Sequence, residues 1–200
     1  MIYSDCSGLI LGFHGCSKDV YGAVIRDSKP LSPSTNSYDW LGSGIYFWEN
    51  SYMRANDWAI NRFGEENAAV IGAVIDLSSC FDLTDYSNTE YVREAYNSLV
   101  VDIKNNGKEM PRNKNVNNND DWLMRELDCA VINQVHLLNK KLKRKQFDSL
   151  RGMFAEGRSI YKGAGFREKT HTQLCIRNLH CIKGYFTPLD DKGNALITVD

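Results

Sequence analysis

The spacing of apolar and polar positions changes several times along the chain, and each change predicts an element. Leu9-Ile10-Leu11-Gly12-Phe13-His14 is a short apolar run ending on a polar residue, the pattern of a buried strand. Ser17 then offers an N-cap, and a short helix is predicted through about Ile25. Residues 27–43 hold Pro30, Pro33 and several Ser, Asn and Asp, so an irregular loop is expected. Ile45-Tyr46-Phe47-Trp48 is β-branched and aromatic and reads as a strand entered from a tight turn at Gly42-Ser43-Gly44. From Ser51, an N-cap candidate, the period becomes helical. Tyr52, Ala55, Ala59 and Phe63 share one face with Trp58 beside them, and Gly64 is the stop.

Ala68 to Leu77 reads as a buried strand rich in Val and Ile. Phe81 to Asp85 is predicted as a turn, with Thr84 or Asp85 opening a helix through about Ile103. Residues 105–119 are Asn-rich, with Gly107, Pro111, Arg112 and Lys114, and are expected to form an exposed loop. Asp120 and Asp121 are expected to cap a helix carrying Leu123, Leu127, Val131, Leu138 and Leu142. That helix ends in Lys140-Lys141-Leu142-Lys143-Arg144-Lys145, cations that a helix C-terminus favours and that could also meet phosphate. Residues 151–170, with Gly152, Gly157, Gly163 and Gly165, are read as a loop. Thr172 to Ile176 alternates as a half-buried strand does, and Cys181 to Phe186 is a last strand before Pro188. Short strands early and late, with long helices between, predict an α+β fold in one domain over residues 1–200, the 105–119 loop lying within it.

Bulk properties narrow this reading. A chain of 200 residues with 42% hydrophobic content is sufficient for one sizeable core. The formal charge of −1 gives no global attraction to nucleic acid, though a local basic face stays open. There is no run of about 18 apolar residues to span a membrane, and Met1 to Cys6 lacks the features of a signal peptide. Cys6, Cys16, Cys80, Cys129, Cys175 and Cys181 are scattered without a Cys-x-x-Cys pair, which fits reduced thiols and a cytoplasmic location.

The candidate chemistry centres on Tyr38 to Glu49. A glycine turn that allows close backbone approach, followed at once by aromatics on a strand, is suited to stacking a flat ligand. The competing reading is a turn whose aromatics are plain core. His14-Gly15 at a strand end is a second position where ligands are met, again with a surface or core histidine as the alternative. In order, His14-Gly15, Gly42-Ser43-Gly44-Ile45-Tyr46-Phe47 and Gln173-Leu174-Cys175-Ile176 resemble the ADP-ribosyltransferase superfamily, in its His-Tyr-Glu branch of poly(ADP-ribose) polymerases and diphtheria-type toxins.

The resemblance implies a split core of two small, mainly antiparallel sheets around a nicotinamide cleft, and NAD as co-substrate with no metal. It implies that His14 hydrogen-bonds the adenosine ribose and that Gly15 pairs its backbone with the nicotinamide carboxamide. Gly44 would let the backbone approach the cofactor, and Tyr46 would stack on the nicotinamide. Trp58 would close the stack, and Ser51 would reach the carboxamide oxygen. The family's catalytic Glu matches Gln173, which can hydrogen-bond a hydroxyl but carries no charge. Glu156, Glu168 and His171 are further candidates for a base.

The implied activity is transfer of ADP-ribose from NAD to a macromolecular acceptor, protein or nucleic acid, with release of nicotinamide as a neutral base. The family's habits point to a bacterial toxin or phage-defence effector, with an antitoxin or immunity partner. Three other readings stay open: an NAD or ADP-ribose binding module without turnover, a metal site from His14, Cys16, His171 and Cys175, and a Cys-His hydrolase.

Overall fold

The computed structural model describes residues 8–115 and 121–196. Nine strands and four helices of at least two turns follow in chain order among them. They are β1 (Leu9–Ser17), α1 (Lys18–Ile25), β2 (Ile45–Glu49), α2 (Tyr52–Phe63), β3 (Ala68–Asp76), β4 (Cys80–Asp82), α3 (Thr89–Asn105), β5 (Asn113–Lys114), β6 (Met124–Arg125), α4 (Glu126–Lys141), β7 (Ser149–Phe154), β8 (His171–Ile176) and β9 (Ile182–Phe186). The fold is α+β. Among the described residues no helix is long and apolar enough to cross a membrane.

Seven strands form one sheet in the order β4-β7-β8-β2-β1-β3-β9, antiparallel except for the parallel β4–β7 pair; β5 and β6 form a separate two-stranded ladder. The expected pair of separate sheets is therefore corrected to one sheet with a weak joint. β1 pairs with β3 over its whole length, from Leu9↔Asp76 to Ser17↔Ala68. It meets β2 only at Gly12↔Glu49 and Phe13↔Trp48. Beyond Phe13 the strands part: His14 and Gly15 stay with β3, while Ile45, Tyr46 and Phe47 stay with β8. The parting divides the sheet into a β9-β3-β1 half and a β2-β8-β7-β4 half.

Strand alternation then sorts side chains between faces. Ile45 and Phe47 join Ile71, Ile75, Leu174 and Ile176 in the core that α1 covers through Tyr21 and Val24. Tyr46 and Cys175 face the other way, towards the core made with Val131, Ile132 and Val135 of α4. Trp48 packs with Ala55 of α2, Val70 and Phe13 in a third cluster. Small residues let α2 sit close. A Cβ on Gly15 would lie 2.4 Å from the Ala55 carbonyl oxygen and 3.1 Å from the Trp58 ring.

Several expected boundaries shift. Cys80–Asp82 is a strand rather than part of a turn, because Phe81 is buried and pairs with Leu150. α3 begins at Thr89, after a short 3-10 turn that Asp85 caps by accepting from the Ser87 N–H. Residues 149–154, read partly as loop, are β7, held between β4 and β8. The last long helix begins at Glu126. Asp121 does not cap it but accepts from the Gly157 N–H at 2.9 Å and lies 3.5 Å from Arg167. Asp120 falls outside the described residues. The cations after α4 are partly used: Arg144 grips Glu94 with two hydrogen bonds of 2.6 and 3.0 Å.

The Gly15 contact yields a stability prediction. Gly15→Ala forces the new methyl against backbone that cannot swing away, an overpacking cost of about 1–3 kcal/mol. The melting temperature of purified protein should fall by roughly 2–4 °C per kcal/mol for a chain of this size. An unchanged melting curve would show that α2 is free to move away from β1.

Candidate functional site

Where β1 and β2 part, the sheet opens into a cleft of about 510 Å³, a volume in the range of small-molecule sites. His14, Gly15, Gly44, Tyr46, Trp58 and Gln173 all line it, brought together from β1, the turn before β2, β2 itself, α2 and β8. Ser51, the remaining residue of the expected NAD clamp, does not. It sits at the N-cap of α2 without a side-chain capping bond, and the next turn of the helix, from Arg54 onward, reaches the cleft instead.

His14 spans the parting. Its Nδ1 lies 2.8 Å from the Tyr46 carbonyl oxygen, which can only accept, so Nδ1 carries the proton and Nε2 is left as an acceptor. Burial holds its pKa below the usual histidine value, against the opposing pull of the Tyr46 carbonyl. The ring is a neutral acceptor suited to a ligand hydroxyl.

Tyr46 is fastened at its far end. Its hydroxyl donates to the Gly42 carbonyl at 2.7 Å and accepts from the Leu41 N–H at 3.0 Å. Burial drives the phenol pKa well above its ordinary value. The hydroxyl therefore braces the turn, and the ring remains as the surface offered to a ligand. The turn has its own demands. Gly42 has φ 76°, and the Ser43 N–H is taken by Asn133 Oδ1 at 3.2 Å. A Cβ at Gly44 would lie 2.5 Å from Cys175 Sγ.

Gln173 is also oriented. Its Oε1 accepts from the Trp40 indole N–H at 2.6 Å, which leaves the amide NH₂ as the group for other partners. Trp40 reaches it across Gly152, where a Cβ would lie 2.7 Å from the indole ring. Gly152 is also the register partner of Gln173. Arg125 packs against two of the lining rings, its guanidinium 4.2 Å from the Phe154 ring centre and 5.3 Å from that of Trp40.

A charged network crosses the cleft on the α2 side. Arg54 bonds Asp57 at 2.7 Å and Glu156 at 2.9 Å, and Lys169 bonds Asp57 at 2.9 Å. Of the three candidate bases, Glu156 alone lines the cleft. Glu168 is exposed outside it. His171 is buried, its Nδ1 donating to the Lys169 carbonyl at 2.7 Å, and burial lowers its pKa to about 4.

Sequence reasoning passed over Asp39, Trp40, Arg54, Asp57 and Asn61 as site residues. A signal existed for the last three: with Trp58 they repeat at helical spacing and mark a second face of α2. Nothing local tied Trp40 to Gln173, 133 positions away. Among the described residues no group of three or more His, Cys, Asp or Glu is placed to hold a metal ion. His14, Cys16, His171 and Cys175 form no such group. No family model, no curated protein and no solved structure matches the chain.

The double use of the Tyr46 hydroxyl can be tested without any ligand. Tyr46→Phe leaves the Leu41 N–H and Gly42 carbonyl without that partner, at a cost of about 1–3 kcal/mol if water does not replace it. Denaturant unfolding should show that loss. Cys175→Ser, which keeps the turn's bonds to Tyr46, should cost less.

Proposed function

We propose that the chain is an NAD-dependent ADP-ribosyltransferase that cleaves the nicotinamide glycosidic bond and transfers ADP-ribose to a macromolecular acceptor. The observation that carries this reading is the meeting of His14 and Gly15 with Tyr46 and Gln173 at one parting of the sheet. These are the positions that the resemblance assigns to the clamp on NAD. The parting leaves β1 beyond Phe13 without a strand partner on its β2 side, so backbone facing that way can pair with a carboxamide. Tyr46 and Trp58 supply ring faces, and neutral His14 supplies an acceptor for a ribose hydroxyl. Such a clamp orients the leaving group, and little acid catalysis is needed because nicotinamide departs neutral. The acceptor, protein or nucleic acid, belongs to the same proposal, as do a cytoplasmic setting, a toxin-like or defence role and an immunity partner. The basic residues 140–145 are absent from the cleft lining, so they do not tie the acceptor to the site.

A second reading, an NAD or ADP-ribose binding module, is favoured by one specific feature. Gln173 presents an amide where the family has a carboxylate, and its carbonyl is already committed to Trp40.

Nicotinamide release from NAD, with a cell lysate as acceptor, separates the two. Tyr46→Ala should weaken NAD binding more than Tyr46→Phe, which keeps the ring. Gln173→Ala should lower turnover at saturating NAD by at least about tenfold, equivalent to ~1.4 kcal/mol of barrier. Gln173→Glu, which still accepts from Trp40, should keep turnover or raise NAD hydrolysis. Wild type and Gln173→Ala that both bind NAD and both release no nicotinamide would establish the binding module.

A further inference from the structure

The transferase reading leaves one electrostatic requirement unmet. When the glycosidic bond breaks, its electron pair leaves with the nicotinamide nitrogen and the ribose carbon becomes cationic. An acceptor lone pair then forms the new bond, and the acceptor's proton passes to solvent. A negative group near the ribose lowers that barrier. Gln173 cannot be that group. With Oε1 held by Trp40, the side chain turns its N–H donors, the positive end of the amide dipole, away from that bond.

Five charged side chains line the cleft: Asp39, Arg54, Asp57, Glu156 and Lys169. Arg54 joins Asp57 to Glu156, and Lys169 joins Asp57. These four cancel. Asp39 forms no ion pair among the described residues; its partners are neutral, the Ser34 hydroxyl, which donates to Oδ2 at 2.5 Å, and Asn36. It is half-buried, where a charge is screened less than in water, and it directly precedes Trp40, the residue that holds Gln173.

We propose that Asp39 is the catalytic carboxylate of this cleft, supplying the negative charge that offsets the cationic ribose carbon while Gln173 orients the sugar through its amide. The inference rests on the transferase reading. The alternative is that Asp39 only fastens the 34–39 loop through Ser34.

The pH dependence follows from its surroundings. Burial raises the Asp39 pKa, and the bonds from Ser34 and Asn36 pull it partly back. Facing it are Tyr46 of β2, Cys175 of β8 and Cys129 of α4. All three have raised pKa values and stay uncharged at acid pH. Arg177 acts on Tyr46 and Cys175. A raised pKa means that the carboxylate charge is lost, as pH falls, earlier than for an ordinary Asp. Turnover should fall with it. Protonation of His14 can add a fall of its own in the same direction, so the comparison with the variant isolates Asp39.

The test is nicotinamide release against pH for wild type and Asp39→Asn, with NAD binding followed by tryptophan fluorescence and folding by thermal melting. Asn keeps an oxygen for the Ser34 hydroxyl. Expected are a loss of turnover of about 10²-fold or more, NAD affinity within a few-fold of wild type, an unchanged melting temperature and disappearance of the acid limb that Asp39 sets. Turnover within a few-fold of wild type in Asp39→Asn overturns the inference while leaving the transferase reading in place. So does loss of turnover in Glu156→Gln with Asp39→Asn active. If Asp39→Asn does not fold, a wild-type profile without an acid limb above the ordinary carboxylate range overturns it. Wild type that binds NAD without releasing nicotinamide removes the transferase reading and this inference with it.

Discussion

The structure depends on a joint two residue pairs wide. Gly12 and Phe13 of β1 meet Glu49 and Trp48 of β2, one more backbone bond runs from the Asn50 N–H to the Leu11 carbonyl at 2.9 Å, and among the described residues the two strands pair no further. A longer ladder would close the sheet and leave no room for a ligand; no ladder at all would leave the halves to drift. Arg151 stiffens one half by gripping Glu49 with two hydrogen bonds of 2.7 and 3.2 Å and Asp82 at 3.1 Å, tying β7 to both β2 and β4. The His14 imidazole spans the opening itself. Because its partner is the Tyr46 carbonyl, the same bond that sets the width of the gap also sets the tautomer on the cleft side.

Period-two alternation carries the geometry from the joint into the site. With Trp48 opposite Gln173 and Tyr46 opposite Cys175, one strand face presents two rings and an amide, while Phe47 and Leu174 of the same strands anchor the opposite core. A slip of one residue in that register would bury Gln173 and turn Phe47 into the cleft. The core thus enforces the site: the penalty for exposing Phe47, Leu174 and Ile176 is what keeps Tyr46 and Gln173 on the cleft face of the sheet. The Gly–Ser–Gly turn serves the same register. Gly42 supplies the positive φ, and Gly44 lets β2 approach Cys175.

Most of this was legible locally and some of it could not be. Strands β1, β2, β3, β8 and β9 and helices α1 and α2 declare themselves through apolar period, caps and glycine stops, and His14, Gly15, Tyr46, Trp58 and Gln173 fall in those elements, with Gly44 in the turn that opens β2. β4 and β7 were obscure because neither is an independent strand by composition; each is stabilised by pairing with a distant partner, as Phe81 with Leu150 and Leu150 with Cys175. Asp121 resembles a helix cap in sequence, yet the backbone N–H it satisfies belongs to Gly157, 36 positions later. Ser51 occupies a cap position but, like a tether at the wrong end, lies one helical turn short of the cleft that Arg54 reaches. Such choices between a local and a remote partner have no local signature.

The charge pattern of the cleft constrains what its occupant can be. Arg54 and Lys169, the two lining cations, are already engaged by Asp57 and Glu156, so an anionic ligand meets cations whose charge is shared. A compact polyanion would have to break those pairs and leave carboxylates uncompensated, which is costly in a partly desolvated site. A ligand that places flat rings between Tyr46 and Trp58, hydroxyls near His14 and Gln173, and only part of its length against the Arg54 network avoids that cost. A dinucleotide has that distribution of chemistry along its length; a free phosphate or an acidic peptide does not. Affinity would then come mainly from stacking and directed hydrogen bonds. On the transferase reading proposed above, the Asp39 charge would be felt most strongly by the part of the ligand that becomes positive, and the lining would then favour the transition state over the bound ground state.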